Sequence, residues 1–283
     1  MATIDQLRDG YSRLNTTLIR GAGGLAKNLF LNLGDWREEN IAQYQRALGP
    51  QLESVKQQIA KLQTAYYQQV ALVSDVPFTP APVPPTSLST ESLRNGTSFE
   101  TVYRRPFASM YTQLSSGSTM TAAVLAGATR AFYLATTDAQ LASRQAGAQQ
   151  RQANDNIKFY RRTLTGAENC ALCVVASTQR YRRGQLKPIH PGCDCGEEPF
   201  YGDESTPLVL DPNLLEATHS QLMSQLGVQD RAAFDAGIAK ISANGEPLSD
   251  FTEIIVTRDH GEYGATLAFR EQKFTSAFDL IEE

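Results

Sequence analysis

The stretch 41–73, IAQYQRALGPQLESVKQQIAKLQTAYYQQVALV, decides the fold class. Its apolar side chains, Ile41, Tyr44, Leu48, Leu52, Val55, Ile59, Leu62, Tyr66, Val70 and Val73, recur every three or four residues. That is the period of one helix face, not the alternation of a strand. Asp35 stands where it would cap the start of this helix, and Pro50 is expected to kink it or restart it at Gln51. A helix of about 35 residues is about 50 Å long. Upstream, Ile4, Leu7, Tyr11, Leu14 and Leu18 form a second apolar stripe, and Gly21, Gly23 and Gly24 predict a break after it. Residues 1–73 therefore read as an antiparallel helical hairpin, with a protruding coiled-coil arm for a partner as the alternative.

Downstream, residues 74–90 (SDVPFTPAPVPPTSLST) hold five prolines. Proline fixes φ and removes a donor, so this segment reads as an extended linker or a stiff surface strap, and it is the best boundary in the sequence. Helix returns over 91–165. A helix is expected to begin at Arg104-Arg105-Pro106 with the proline in its first turn and to continue through Phe107, Met110, Tyr111 and Leu114. An alanine-rich helix then spans about 121–154, its small residues suited to close packing. Leu214, Thr218, Leu222, Gln225 and Leu226 suggest a further helix, and Asp230 a cap for another over 232–241. Strand-like runs at 253–258 and 265–273 flank the turn residues 259–264, which predicts a terminal β-hairpin. The fold class expected is mainly α (α+β), with long helices, a metal-stapled loop over 166–200, and helices plus the hairpin over 201–283.

The 283 residues are 41% apolar and can bury a sizeable core. A net charge of −4 argues against a DNA-coating protein, and 20% charged residues against a disordered polyelectrolyte. The average conceals a partition. Residues 1–150 carry +3, residues 151–200 carry +3 and residues 201–283 carry −10. Residues 156–190 contain seven basic side chains and one acid, Glu168. No signal-peptide pattern opens the sequence, and no apolar run approaches the roughly 20 residues of a membrane helix, so a reducing, cytoplasm-like compartment without a membrane partner is expected.

All four cysteines fall in one window, NCALCVVASTQRYRRGQLKPIHPGCDCGEEP. Cys170 and Cys173 form C-x2-C, nineteen residues follow, and Cys193 and Cys195 form C-x-C, with His190 three residues before Cys193. Zinc takes four S or N ligands, and a C-x2-C pair turns two sulfurs onto one point. Two of His190, Cys193 and Cys195 would complete a structural zinc site, and the spacing does not choose which. Disulfides and buried thiols are the alternatives. The window lacks H-E-x-x-H and the deaminase pattern, so nothing marks a catalytic metal. The basic residues Arg180, Arg182, Arg183 and Lys187 lie inside the window and could meet nucleic-acid phosphate or an acidic partner, or simply be solvated. No nucleophile motif, P-loop or dinucleotide fingerprint is present.

The C-x2-C followed by Lys187-Pro188-Ile189-His190-Pro191-Gly192-Cys193-Asp194-Cys195 resembles the C-x2-C…H-P-x-C-x-C signature of the MuF-like minor head proteins of tailed phages. The run V-Y-R-R-P-F (102–107), then Gly127, Arg130 and Gln140, and the ending D-H-G-E-Y-G-A-T-L-A-F-R-E-Q-K-F (259–274), are similar to the actinobacterial-phage subgroup. Asp194 departs from the arginine the family often carries there. The resemblance implies a virion component of the phage head, assembled in the host cytoplasm. It would associate with the portal protein or the major capsid protein and influence assembly, DNA packaging or ejection. It implies metal ligation by Cys170, Cys173, His190, Cys193 and Cys195. Some relatives in the subgroup are labelled capsid maturation proteases, which keeps that activity as an alternative, and a zinc-stapled DNA-binding module is a third reading.

Overall fold

The computed structural model describes residues 3–164, 171–182, 195–225, 255–259 and 265–269. The chain divides into two compact units, Met1–Asp155 and Asn156–Glu283. The fold is mainly α with small antiparallel sheets.

The first unit is built on four helices: α1 (Ile4–Leu31), α2 (Glu38–Val73), α4 (Phe99–Ser115) and α5 (Met120–Ala153). A short 3-10 turn, η1 (Pro85–Leu88), and the one-turn helix α3 (Thr90–Leu93) precede α4. α1 and α2 are antiparallel neighbours, since Tyr11 stacks on Tyr66 at one end while Phe30 meets Tyr44 at the other. α5 packs against α1, α2 and α4. The core combines Ile19, Phe30, Tyr44, Leu48, Leu52, Val102 and Phe107 with the alanines of α5. Phe30, Tyr44 and Phe107 meet edge to face with centroids 5.0–5.8 Å apart, the arrangement aromatic quadrupoles favour. The first two helices thus supply core rather than a free arm.

Several local expectations are corrected. α1 runs unbroken through Gly21, Gly23 and Gly24. Gly23 is buried where a Cβ would lie 2.6 Å from Thr136 Cγ2 and 2.7 Å from the Phe132 ring, so close helix approach, not a hinge, explains this residue. α2 likewise contains Pro50 without ending there. Its N-cap is Arg37, while Asp35 accepts the Arg37 N–H through Oδ1 instead of capping. α4 begins at Phe99, ahead of the expected start at Arg104. Ser98 caps it by accepting the Thr101 N–H, and Pro106 lies in its interior rather than in its first turn.

The proline-rich stretch lies inside the first unit. It straps α5 through two side-chain amides that mimic a strand edge. Asn154 accepts the Thr79 N–H at 2.9 Å and donates to the Thr79 carbonyl at 3.1 Å. Gln150 does the same for Ala81, with both bonds at 2.8 Å. Leu88 is buried with Ala60, Ala142 and Ala146.

In the second unit, β1 (Phe159–Thr163) is the central strand of a three-stranded antiparallel sheet, between β2 (Arg180–Arg182) and β3 (Gly196–Phe200). Helix α6 (Ala171–Ser177) packs on β1 and against α7 (Pro212–Gln225). β4 (Ile255–Asp259) and β5 (Ala265–Phe269) pair antiparallel, as the terminal hairpin expectation required. The helix expected over 232–241 lies outside the described residues.

Candidate metal centre

Two of the five expected ligands can be placed. Cys173 lies on α6, and Cys195 immediately precedes β3; both are buried, at 3% and 5% exposure. Cys170, His190 and Cys193 lie outside the described residues, as do Arg183 and Lys187. Among the described residues, no three His, Cys, Asp or Glu side chains gather where a cation could sit.

The sheet explains how Cys195 is held. Strand alternation puts Tyr160 and Arg162 of β1 on one face, with Tyr181 of β2 and Glu197 and Pro199 of β3 beside them in register. Arg162 is buried, and its Nη1 donates to Cys195 Sγ at 2.8 Å. Glu197, also buried, stands opposite Arg162 across the β1–β3 ladder. The neighbouring pair Arg161 and Glu198 is bonded through Nε, with Glu198 buried and Arg161 partly exposed.

A second link holds α6. The Tyr181 hydroxyl donates to the Ala176 carbonyl at 2.8 Å, three residues after Cys173, and accepts from Gln179 Nε2 at 3.1 Å. Burial pushes the Tyr181 phenol above its usual value, while the nearby Arg162 guanidinium acts in the opposite sense. Tyr160 and Tyr181 lie nearly parallel, 6.4 Å apart, and both rings are buried.

Cysteine sulfur is a donor that zinc accepts, and Cys173 and Cys195 are both buried free thiols. Two shielded sulfurs belong to one small unit, and one of them already receives a charge-assisted hydrogen bond. A thiolate in that position would be compensated by the guanidinium, the kind of outer-shell contact that orients metal ligands.

Two members of the basic cluster lie on a strand where the sequence suggested a loop. Arg180 and Arg182 lie on β2. Arg180 stacks its guanidinium 4.0 Å from the Phe159 ring centroid and donates through Nε to the Thr206 and Pro207 carbonyls. Arg182 pairs with Glu204, both being more than half exposed. Two of the four residues nominated for phosphate contact are therefore engaged within the unit.

The sheet itself is hidden from the sequence reading. Phe159, Tyr160 and Thr163 are residues that suit strands, but two arginines interrupt them and β2 has only three residues. In a linear reading Arg162 is one more surface charge, and its burial follows only from the register. No described helix is long and apolar enough to cross a membrane. No protein-family model, curated protein or solved structure matches this chain.

Proposed function

We propose that the chain is a structural minor head protein of a tailed phage, of the MuF-like type, working with the portal protein or the major capsid protein during head assembly, DNA packaging or ejection. The carrying observation is the cysteine window, whose motif resembles that family and whose described sulfurs, Cys173 and Cys195, are shut away from solvent. Burial of the sulfurs favours a structural staple over an open reaction centre. Cys170, Cys173, His190, Cys193 and Cys195 supply the candidates for four ligand places. Zinc there would supply a cross-link that closes a segment poor in apolar residues.

The intramolecular engagement of Arg180 and Arg182 weighs against the DNA-binding reading. The test is to mix the purified full chain with portal protein and, separately, with the capsid protein precursor. The expected result is a stable complex with at least one of them, with both chains intact. Site-specific cleavage of the capsid precursor would overturn the reading in favour of the protease, and absence of binding to either would reject it.

A further inference from the structure

We infer that the outward face of α1 is a docking surface for an acidic amphipathic helix of another protein, gripped by the cation row Arg13, Arg20 and Lys27. The inference is independent of the metal reading and holds whether or not the chain is a head protein.

Charge carries it first. Residues 10–34 contain no aspartate or glutamate, and their basic residues are Arg13, Arg20 and Lys27. These follow one another at intervals of seven residues, so they form a single row along the helix, with steps of about 10.5 Å. Arg13 and Arg20 are exposed and Lys27 is half-buried. Among the described residues none of the three has an ion pair, whereas Arg8, Arg37, Lys56, Arg94 and Arg104 of the same unit each have a carboxylate partner. Three cations of one sign on one line are a field that nothing on α1 answers.

The residues beside the row say what lies against it. Gly10, Leu14, Thr17, Gly21, Gly24 and Asn28 recur at alternating steps of four and three, which is the seam of a heptad repeat. In that frame the cations occupy the flanking position just before each seam residue Leu14, Gly21 and Asn28, where paired helices exchange salt bridges. The seam is turned away from the bundle. Core contacts come instead from Tyr11, Ile19, Ala22, Ala26 and Phe30, while Leu14 is 57% exposed. A Cβ at Gly10, Gly21 or Gly24 would meet nothing within 4 Å. The packing of this chain therefore does not require those glycines, although each weakens the helix relative to alanine. An uncharged, small-residue seam lets a second helix approach closely, and an exposed leucine suits its apolar side better than it suits phosphate. A second copy of α1 would bring the same cations and, over residues 10–31, no acid to meet them. The occupant that complements the row is a helix with carboxylates repeating every seven residues. α1 thus works on two sides, one closing the core and one offered to a partner.

The experiment measures binding of the full chain to a labelled four-heptad helical peptide with an alanine and leucine seam flanked by glutamates. The same peptide with lysines for glutamates and a short DNA duplex are the comparison probes. The acidic peptide is expected to bind, more weakly as salt is raised, and the lysine peptide is not. The combined change Arg13→Glu, Arg20→Glu and Lys27→Glu is expected to lower affinity for the acidic peptide about 10-fold or more. Gly21→Gln with Gly24→Gln fills the seam at constant charge and is expected to lower it about 10-fold. Circular dichroism confirms the fold, and glutamine at positions 13, 20 and 27 replaces glutamate if the reversed form does not fold. Failure of the folded wild type to bind the acidic peptide, or equal binding of the acidic and lysine peptides, would overturn the inference. Wild-type affinity in both folded variants would also overturn it. Tighter binding of the duplex than of the acidic peptide, lost on the same charge changes, would assign the row to nucleic acid and overturn it as well.

Discussion

Gly21 and Gly127 lie in helices of the same unit but carry opposite expectations. A Cβ at Gly21 would meet nothing within 4 Å. Gly21→Ala should therefore stabilise the unit by roughly 0.5–1 kcal/mol through helix propensity alone. A Cβ at Gly127 would lie 2.8 Å from the Pro106 carbonyl and 2.6 Å from the Phe30 ring. Backbone of a packed helix cannot yield cheaply, so Gly127→Ala should lose about 1–3 kcal/mol despite the same propensity gain. Urea midpoints of the two variants check both signs. A second residue-scale feature is Asp138, fully buried and bonded to Arg94, Thr90 and Tyr103. Asp138→Ala leaves the Arg94 charge buried without its carboxylate and should cost about 3–5 kcal/mol in denaturant unfolding. Burial, and then the adjacent Asp138 charge, pushes the Tyr103 phenol well above its ordinary 10.0; burial does the same to Tyr44. The fold then holds these protons more tightly than the unfolded chain does. Their stabilising contribution is complete below about pH 10 and falls as pH rises beyond it. Urea midpoints should accordingly drop as the pH is raised past about 10, and an unchanged midpoint would contradict the assignment.

At the scale of elements, the proline strap has a specific mechanism. Gln150 and Asn154, one turn apart on α5 and its C-cap, each close two hydrogen bonds with the strap backbone. Gln150→Ala combined with Asn154→Ala should release residues 76–84, detected as new proteolytic cleavage there while the helices stay intact; cleavage no faster than wild type would show that Leu88 anchors the strap alone. Helices are the legible elements. The 3.6-residue stripe of α2 and the alanine-rich face of α5 are local patterns that burial reinforces. Helix punctuation is less legible. Pro50, Pro106 and the glycines of α1 are local breaking signals that tertiary packing overrides, as Gly23 against Phe132 and Gly127 against Pro106 illustrate. The small sheet is illegible because its strands are three to five residues long and its buried charges, Arg162, Glu197 and Glu198, look like surface in a linear reading. The cysteine window is conspicuous in sequence, whereas the arginine that addresses Cys195 emerges only when β1 and β3 are paired.

At the scale of the whole molecule, the charge partition gains a structural context. The −10 of residues 201–283 and the basic residues of 151–200 belong largely to one compact unit, the one that contains the cysteine window. The helical unit has its own core and its own buried polar network. Such an organisation suits the proposed head role, in which one unit supplies helical surface and the other a small metal-closed module. On the proposed role, the decisive measurement is quantitative mass spectrometry of purified, DNA-filled heads of the phage that would encode this chain. The proposed role predicts the protein in those heads at a fixed, low copy number relative to the major capsid protein. Its absence from both finished heads and assembling precursors would contradict that role.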